Sequence, residues 1–393
     1  MRYAGVDIAS ESHVLAVVDE DGRVLVRPTS CGEDAAGYEN LFRALGSPEG
    51  CLVAMEATGH YWKNLFVALV TRGFTVALIN PLRTRRFAEE DLQRTKTDSI
   101  DALGIAHFAR QKKPVPTQLS DSTTEELREM IELHDRLTRD SSDRVRQLHR
   151  LVDLGFPEFT RHIKHLDSQL ATAVLSQYPT AQAYERLSVR RLSRLCYDGR
   201  HFVGDQLAQD LIEVARRSIG AHHAEIYRTQ IVYLCEDLDV LRRRLKQLDQ
   251  DVETKLAEHQ VGSLLTSING VGPTTAARLA SVMGDPIRFT SGAALASYTG
   301  AIPGLRKSGK HQSDRAALTH IGNARLRTAL YMPTLSAIRC NPWLHAYYEH
   351  LIAKGKLPKV AVLACMRKLL TAAFSVARNR RPFVPHLRPC EAS

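Results

Sequence analysis

The chain has 393 residues, 44% of them hydrophobic, and carries 53 Lys and Arg against 43 Asp and Glu, a net charge of +10. This length is more than one ordinary core accommodates and points to two or three domains, while the hydrophobic share excludes wholesale disorder. No contiguous apolar run reaches the ~20 residues of a membrane span and no basic-then-apolar leader opens the chain; 7 cysteines without a CxxC spacing exclude a complete disulfide framework and a paired-cysteine zinc site, so the expected setting is the cytoplasm, with reduced thiols.

Residues 1–115 form the first expected domain. Tyr3–Ile8, Val14–Asp19 and Arg23–Pro28 read as three short strands, the second and third joined through Asp21-Gly22. Cys51–Glu56 is a continuous apolar run, as in a central strand covered on both faces. His60–Arg72 has helical periodicity and stops at Gly73, Phe74–Asn80 is a further strand stopped by Pro81, and Thr97–Gln111 reads as a helix. Three meandering strands followed by alternating helices and strands is the order of a ribonuclease-H-like α/β domain.

Residues 120–258 are expected to form an α-helical, coiled-coil middle region. Glu125–Val152 is a long helix, and Ile231, Leu234, Leu238, Leu241, Leu245, Leu248 and Val252 recur at alternating spacings of three and four, with Arg243, Lys246 and Asp249 outside the stripe. Such a stripe suits either a helix packed inside a bundle or a seam for self-association, and it is read here as the second. The stretch 155–220 reads as a helical insertion without a legible purpose.

Residues 259–393 are expected to form a mainly α C-terminal domain. Leu264–Ile268, Asn269-Gly270-Val271-Gly272-Pro273 and Thr274–Met283 read as helix, hairpin and helix. Gly270 and Gly272 allow positive φ and close approach to another chain, and Thr274 or Thr275 can cap the second helix beside an anion. A helix-hairpin-helix of this kind grips a phosphate backbone; an ordinary αα-hairpin has the same pattern. From Pro303 onward there are 16 Lys and Arg against 3 Asp and Glu, which leaves the preceding residues at −3, so the basicity is C-terminal and suits a polyanionic partner.

Within that basic region, Tyr298–Lys310 places Ser308 among Arg306, Lys307, Gly309 and Lys310. A serine is a poor nucleophile until activated, and basic neighbours orient a phosphate and stabilise developing charge. Ser308 is equally readable as a turn residue in a phosphate-binding loop. Asn323, Arg325 and Arg327 follow, and Lys356, Lys359, Arg367 and Lys368 continue the basic theme as phosphate-backbone contacts.

Four carboxylates complete the reading. Asp7 sits between apolar residues of the first strand, a costly position for an acid unless it is paired or binds a cation. Glu56 ends the fourth strand, and Asp98 and Asp101 are three apart at a helix start, sharing a face. Taken singly, Asp98 suits a helix N-cap and Asp101 an exposed first-turn acid. Together the four form an all-oxygen donor set that a hard cation such as Mg²⁺ prefers, and two such ions ~4 Å apart serve phosphodiester chemistry. Lys96 precedes the pair and is readable either as a phosphate contact or as a solvated lysine.

The motifs GVDIAS, MEATGHYW, INP, KTDSIDA, INGVGP, SYTGAIP, KSGK, HIGNARLRTALYMP and MRKLL stand in the order and spacing of the insertion-sequence one-ten family of DEDD transposases, which the chain resembles over 1–113 and 261–385. The region between matches only in character and is longer, mainly across 155–225. The resemblance implies a RuvC-like ribonuclease-H fold whose acidic tetrad is Asp7, Glu56, Asp98 and Asp101, using Mg²⁺, as two ions, with Mn²⁺ as an alternative. It implies that Ser308 attacks a DNA phosphodiester to form a covalent phosphoserine link, assisted by the acidic domain of a neighbouring protomer in a dimer or tetramer. It also implies an element-encoded guide (bridge) RNA pairing with donor and target DNA, in keeping with specificity delegated to RNA. The competing readings are a RuvC-like nuclease or transposase that uses water, and a non-catalytic nucleic-acid-binding scaffold.

Overall fold

The computed structural model describes residues 1–90, 97–284, 289–301, 307–308, 311–312 and 322–385. They divide into two compact units, Met1–Ser120 and Asp121–Ser393.

The first unit is built on five strands: β1 (Arg2–Ile8), β2 (Ser12–Val18), β3 (Val24–Gly32), β4 (Cys51–Glu56) and β5 (Thr75–Ile79), in the order β3-β2-β1-β4-β5. The pairs β1–β2 and β2–β3 are antiparallel, and β1–β4 and β4–β5 are parallel. Every expected strand is present, β3 running further to Gly32, and the order is consistent with a ribonuclease-H-like domain. Ala4, Val6, Val53 and Met55 pack on one face with α1 (Ala35–Leu45) and α2 (Trp62–Thr71). Tyr3, Leu52, Ala54 and Ile79 pack on the other with α3 (Pro81–Glu90) and α4 (Asp98–Lys112). Burial on both faces is why β4 reads as an unbroken apolar run.

Two of these helices were not anticipated. The α1 helix is announced by Asp34, which accepts a hydrogen bond from the Gly37 amide at 2.6 Å as its N-cap. Pro81 stops β5 and also opens α3 at its first position, where its missing N–H costs nothing; the Asn80 side chain accepts from the Leu82 amide.

On the α1 side of the sheet, fully buried His13 pairs through Nε2 with Glu33, whose carboxylate also accepts from the Tyr38 hydroxyl at 2.9 Å and from the Asn64 amide at 3.3 Å. Burial alone would raise the Glu33 carboxyl, but the hydrogen bonds outweigh it and hold the group below its ordinary value. Glu33→Gln should therefore destabilise the unit by about 1–3 kcal/mol near neutrality. A depressed folded pKa contributes stability above the unfolded value and loses it as pH falls, so the denaturant midpoints of parent and variant should converge below about pH 4.5. Identical midpoints at neutral pH would contradict this role for Glu33.

The second unit is helical. Its spine pairs α5 (Ser122–Gly155) with, later in the chain, a second helix of 34 residues, Glu225–Glu258. Between them lie α6 (Phe159–His162), α7 (Gln169–Gln177), a 3-10 turn (Ala181–Tyr184), α8 (Val189–Ser193) and α9 (Asp205–Arg216), which makes Glu225–Glu258 α10. The pairing is antiparallel: Lys255 bridges Glu126 near one end, and Arg144 meets Asp237 at 2.7 Å further along. Ile231, Leu234, Leu238, Leu241, Leu248 and Val252 are all buried within this chain. The stripe expected to join two chains is thus covered within one, because α5 supplies its own inward residues, Leu127, Ile131, Leu148, Leu151 and Val152. The insertion 155–220 is ordered as short helices around a separate core that includes Phe156, Phe159, Tyr184 and Leu211.

At the other end of the spine lie α11 (Gln260–Leu265), α12 (Pro273–Met283), α13 (Gly292–Thr299), a short hairpin of β6 (Lys307–Ser308) and β7 (His311–Gln312), α14 (Ala324–Cys340), α15 (Pro342–Ala353) and α16 (Pro358–Asn379). Leu127 and Val252 of the spine share one core with Leu279, Leu295, Leu330 and Met366. Among the described residues, α16 is long and apolar enough to cross a membrane by length and composition alone. Lys359, Arg367 and Lys368 interrupt its run; 61% of the apolar window is buried inside the helical unit. Cys31, Cys51, Cys196, Cys235, Cys340 and Cys365 are free thiols.

Where the unit begins, the Gly262 amide donates to His259 Nδ1 at 2.8 Å, which fixes the ring as neutral with its proton on Nε2, 2.9 Å from Thr124 Oγ1. The Thr124 hydroxyl in turn donates to Asp121 at 2.6 Å. Burial lowers the His259 pKa, against the pull of the Asp121 charge. For a base with a depressed folded pKa the unfolded state binds more protons as pH drops, so this contribution is complete above about pH 6.5 and declines below it. His259→Asn should lower the thermal midpoint at pH 7.5 and flatten its fall towards pH 5.5; a parent-like pH slope in the variant would rule the coupling out.

Candidate catalytic site

The acidic residues are assembled by three elements. The parallel register sets Val6 beside Met55, so Asp7 and Glu56 come next on adjacent strands. Both belong to the alternation that faces α3 and α4. Glu56 accepts a hydrogen bond from the buried hydroxyl of Thr84 on α3, which fixes one of its oxygens.

The α4 helix crosses β1 at Gly5, where a Cβ would overlap the Ala102 carbonyl oxygen and the Ala106 amide nitrogen; only glycine admits the crossing. The helix's C-terminal Arg110 donates to the Glu20 carbonyl in the turn beyond Val18, which pairs with Tyr3 at the start of β1. The N-terminus of α4 is therefore directed to the opposite end of β1, where Asp7 lies. Asp98 and Asp101 occupy that first turn, and Thr97, not Asp98, is the N-cap, accepting from the Ile100 amide at 3.3 Å. Asp98 is exposed, and Asp7, Glu56 and Asp101 are partly exposed, so all four are open to solvent.

The donor set is all carboxylate oxygen and fits a hard divalent cation in its chemistry. Among the described residues no three Asp, Glu, His or Cys side chains form a ready metal cluster. The four acids share one end and one face of the sheet without a closed ligand shell.

Other expected site residues fare differently. Gly270 has φ +90°, and its close approach is to Ala337 of α14 in this same chain, so its requirement for glycine is met by internal packing. Gly272 is the N-cap of α12 with φ −79°, an ordinary value. Thr274 does not cap: its hydroxyl donates to Asp249 of α10 at 3.1 Å. Arg278 of α12 meets Asp135 of α5 at 2.6 Å. Two carboxylates, Asp249 and Asp135, thus lie beside α12, and Gly270, Thr274 and Arg278 all make contacts within the chain.

Ser308 lies in β6 in register with His311 of β7, and Lys307 with Gln312. Lys96, Arg306, Gly309 and Lys310 lie outside the described residues. The segment between α13 and α14 is closed at its base: the Asn323 amide donates to the Tyr298 carbonyl at 2.7 Å, and Arg327 donates to the Thr299 and Gly300 carbonyls. Asn323 also caps α14 through the Leu326 amide at 3.0 Å, while Arg325 is exposed. Thr84 was missed in the sequence because nothing local ties it to a glutamate 28 positions earlier.

A mixed α/β unit with acids at one end of its sheet, continued by a helical unit with a basic C-terminal part, is consistent with a DNA-acting enzyme of the DEDD transposase class, and the comparisons with known proteins agree. A DEDD transposase model of the IS110 type matches residues 4–157, and a model described as transposase of the IS116/IS110/IS902 family matches residues 262–349. The chain belongs to the IS110 family of transposases. It is 27% identical over 390 residues to the insertion element IS116 uncharacterized 44.8 kDa protein of Streptomyces clavuligerus, covering 98% of this chain and 96% of that one. It is 27% identical to the mini-circle putative transposase for IS117 of Streptomyces coelicolor, over 97% and 95% of the two chains. It is also 24% identical to the pilin gene-inverting protein of Moraxella lacunata, over 84% and 80%. The DEDD class implies use of a divalent metal.

Proposed function

We propose that the chain cleaves and exchanges DNA strands with Ser308 as nucleophile, assisted by a metal-holding tetrad of Asp7, Glu56, Asp98 and Asp101 from a neighbouring protomer. The observation that carries this reading is the placement of the acids: adjacent register positions on β1 and β4, and the first turn of a helix held against β1 at Gly5. Bound Mg²⁺ would supply charge neutralisation and Lewis acidity at the phosphate. The Ser308 oxygen forms a bond to phosphorus as its proton departs, and the bond from phosphorus to one strand's oxygen breaks, leaving that strand with a free hydroxyl. A hydroxyl of another strand then attacks the phosphoserine, restores the serine and completes the exchange. Because one phosphodiester is exchanged for another, no external energy source is required.

Thr84 holds the Glu56 carboxylate in place while the cation is bound. The basic C-terminal region supplies phosphate contacts, with Arg325 exposed at the start of α14. A guide RNA, a dimer or tetramer and a cytoplasmic setting belong to the same proposal through the family resemblance. To test it, the chain is incubated with its element DNA, the flanking RNA and Mg²⁺, then denatured. A strand covalently joined to the protein at Ser308 is expected; exchanged DNA without any adduct at any time would point to attack by water.

A further inference from the structure

The insertion between α5 and α10 carries a feature that strand exchange at the acidic site does not use. Between Arg186 and Phe202, five arginines (Arg186, Arg190, Arg191, Arg194 and Arg200) are exposed, and among the described residues none of them makes an ion pair. Some arginines elsewhere in the unit are engaged, Arg128 with Glu125, Arg144 with Asp237 and Arg242 with Asp239, whereas here five unpaired ones fall within 15 residues of one another. The same stretch contains one acid, Asp198, and it is turned onto its own loop. It accepts from the Arg200 and His201 amides at 2.9 and 2.7 Å and from His201 Nδ1 at 2.6 Å. That network tightens a small turn closed by the bridge between Cys196 and Phe202, with the Tyr197 and His201 rings stacked at 6.1 Å. Phe202 is 58% exposed on this turn, while Val203 after it is buried.

We infer that this face of the insertion is a binding surface for single-stranded DNA. Unpaired guanidiniums match phosphate in fork geometry and are weakly hydrated, so phosphates are their natural counterions. Arg190 and Arg194 are one helical turn apart and share a face of α8 and its end. A phenylalanine held outward on a fixed turn offers a face for an unpaired base, whereas bases in a duplex are already stacked on one another. The choice of DNA rests on the chain's membership of a transposase family, whose reaction exposes unpaired strand.

The test uses the full chain and fluorescence anisotropy with labelled oligothymidine, a mixed-sequence duplex and oligouridine. Phe202→Ala should weaken oligothymidine binding about fivefold or more, with Phe202→Tyr restoring it and duplex affinity unchanged. Arg190→Gln with Arg194→Gln should weaken binding and reduce the salt dependence by about 1.4 in log–log slope. Affinities within about twofold of the parent in variants that melt like the parent would overturn the assignment, as would a parent that prefers duplex or oligouridine. A parent that binds none of the three probes would overturn the broader DNA reading as well.

Discussion

Ser308→Ala is expected to abolish the covalent protein–DNA adduct and to reduce recombination of the element by on the order of 10⁴-fold or more, the scale on which enzymes lose rate when their nucleophile is removed. The fold should survive the change. The base of the serine segment is held by the Tyr298, Thr299 and Gly300 carbonyls with Asn323 and Arg327. Circular dichroism and the melting midpoint should match the parent. DNA affinity at a fixed salt concentration should also hold, since the cationic groups are intact. Undiminished recombination in this variant would sink the serine mechanism and leave the acidic site as the whole of the catalytic machinery.

Asp7→Asn should lower strand cleavage by about 10³-fold or more, because the side chain keeps its shape while the charge that would hold a cation is lost. A readout independent of activity is available. A ligand that binds only the folded chain stabilises it by about 2.7 kcal/mol at a hundred times its dissociation constant. The parent's thermal midpoint should therefore rise with added Mg²⁺, and the variant's should rise much less. The same titration on Asp98→Asn and Glu56→Gln asks whether all four carboxylates act on one cation site. Full Mg²⁺-dependent cleavage by Asp7→Asn would refute the metal-site assignment.

These two variants probe residues of unequal legibility. Asp7 could be read directly, since an acid between Val6 and Ile8, both buried, is anomalous on its own. Glu56, Asp98 and Asp101 were legible as the ends of elements, and the parallel register of β1 and β4, which sets Val6 beside Met55, puts Asp7 and Glu56 next along adjacent strands. Thr84 was not legible, because it depends on a helix starting at Pro81, and a proline after a strand reads as a stop as readily as a start. The His13–Glu33 pair escaped for a similar reason: its partners come from β2, the bend after β3, α1 and α2 and have no shared motif.

The helical unit shows where periodicity ceases to decide. A three-and-four spacing states that one side of α10 is covered but not by which chain; the answer lies in the inward residues of α5, about a hundred positions earlier. The insertion stayed opaque because α6 and α8 have 4 and 5 residues, too short to display a helical period. Gly270 and Gly272 are legible as a turn, yet the neighbour of Gly270 is an alanine of the same chain.

The contact between Gly5 and α4 has one more consequence. Ala102 and Ala106 lie against a position that has no side chain at all, so the helix bearing two of the acids is gauged from the strand bearing a third by a single absent methyl group. Substitutions on the outer surface of α4 leave this contact, and with it the span between Asp7 and Asp101, untouched. At position 5 even the smallest enlargement would lift the helix and stretch the distances from Asp98 and Asp101 to Asp7 and Glu56, while the spacing of Asp7 and Glu56, set by the β1–β4 register, would stay.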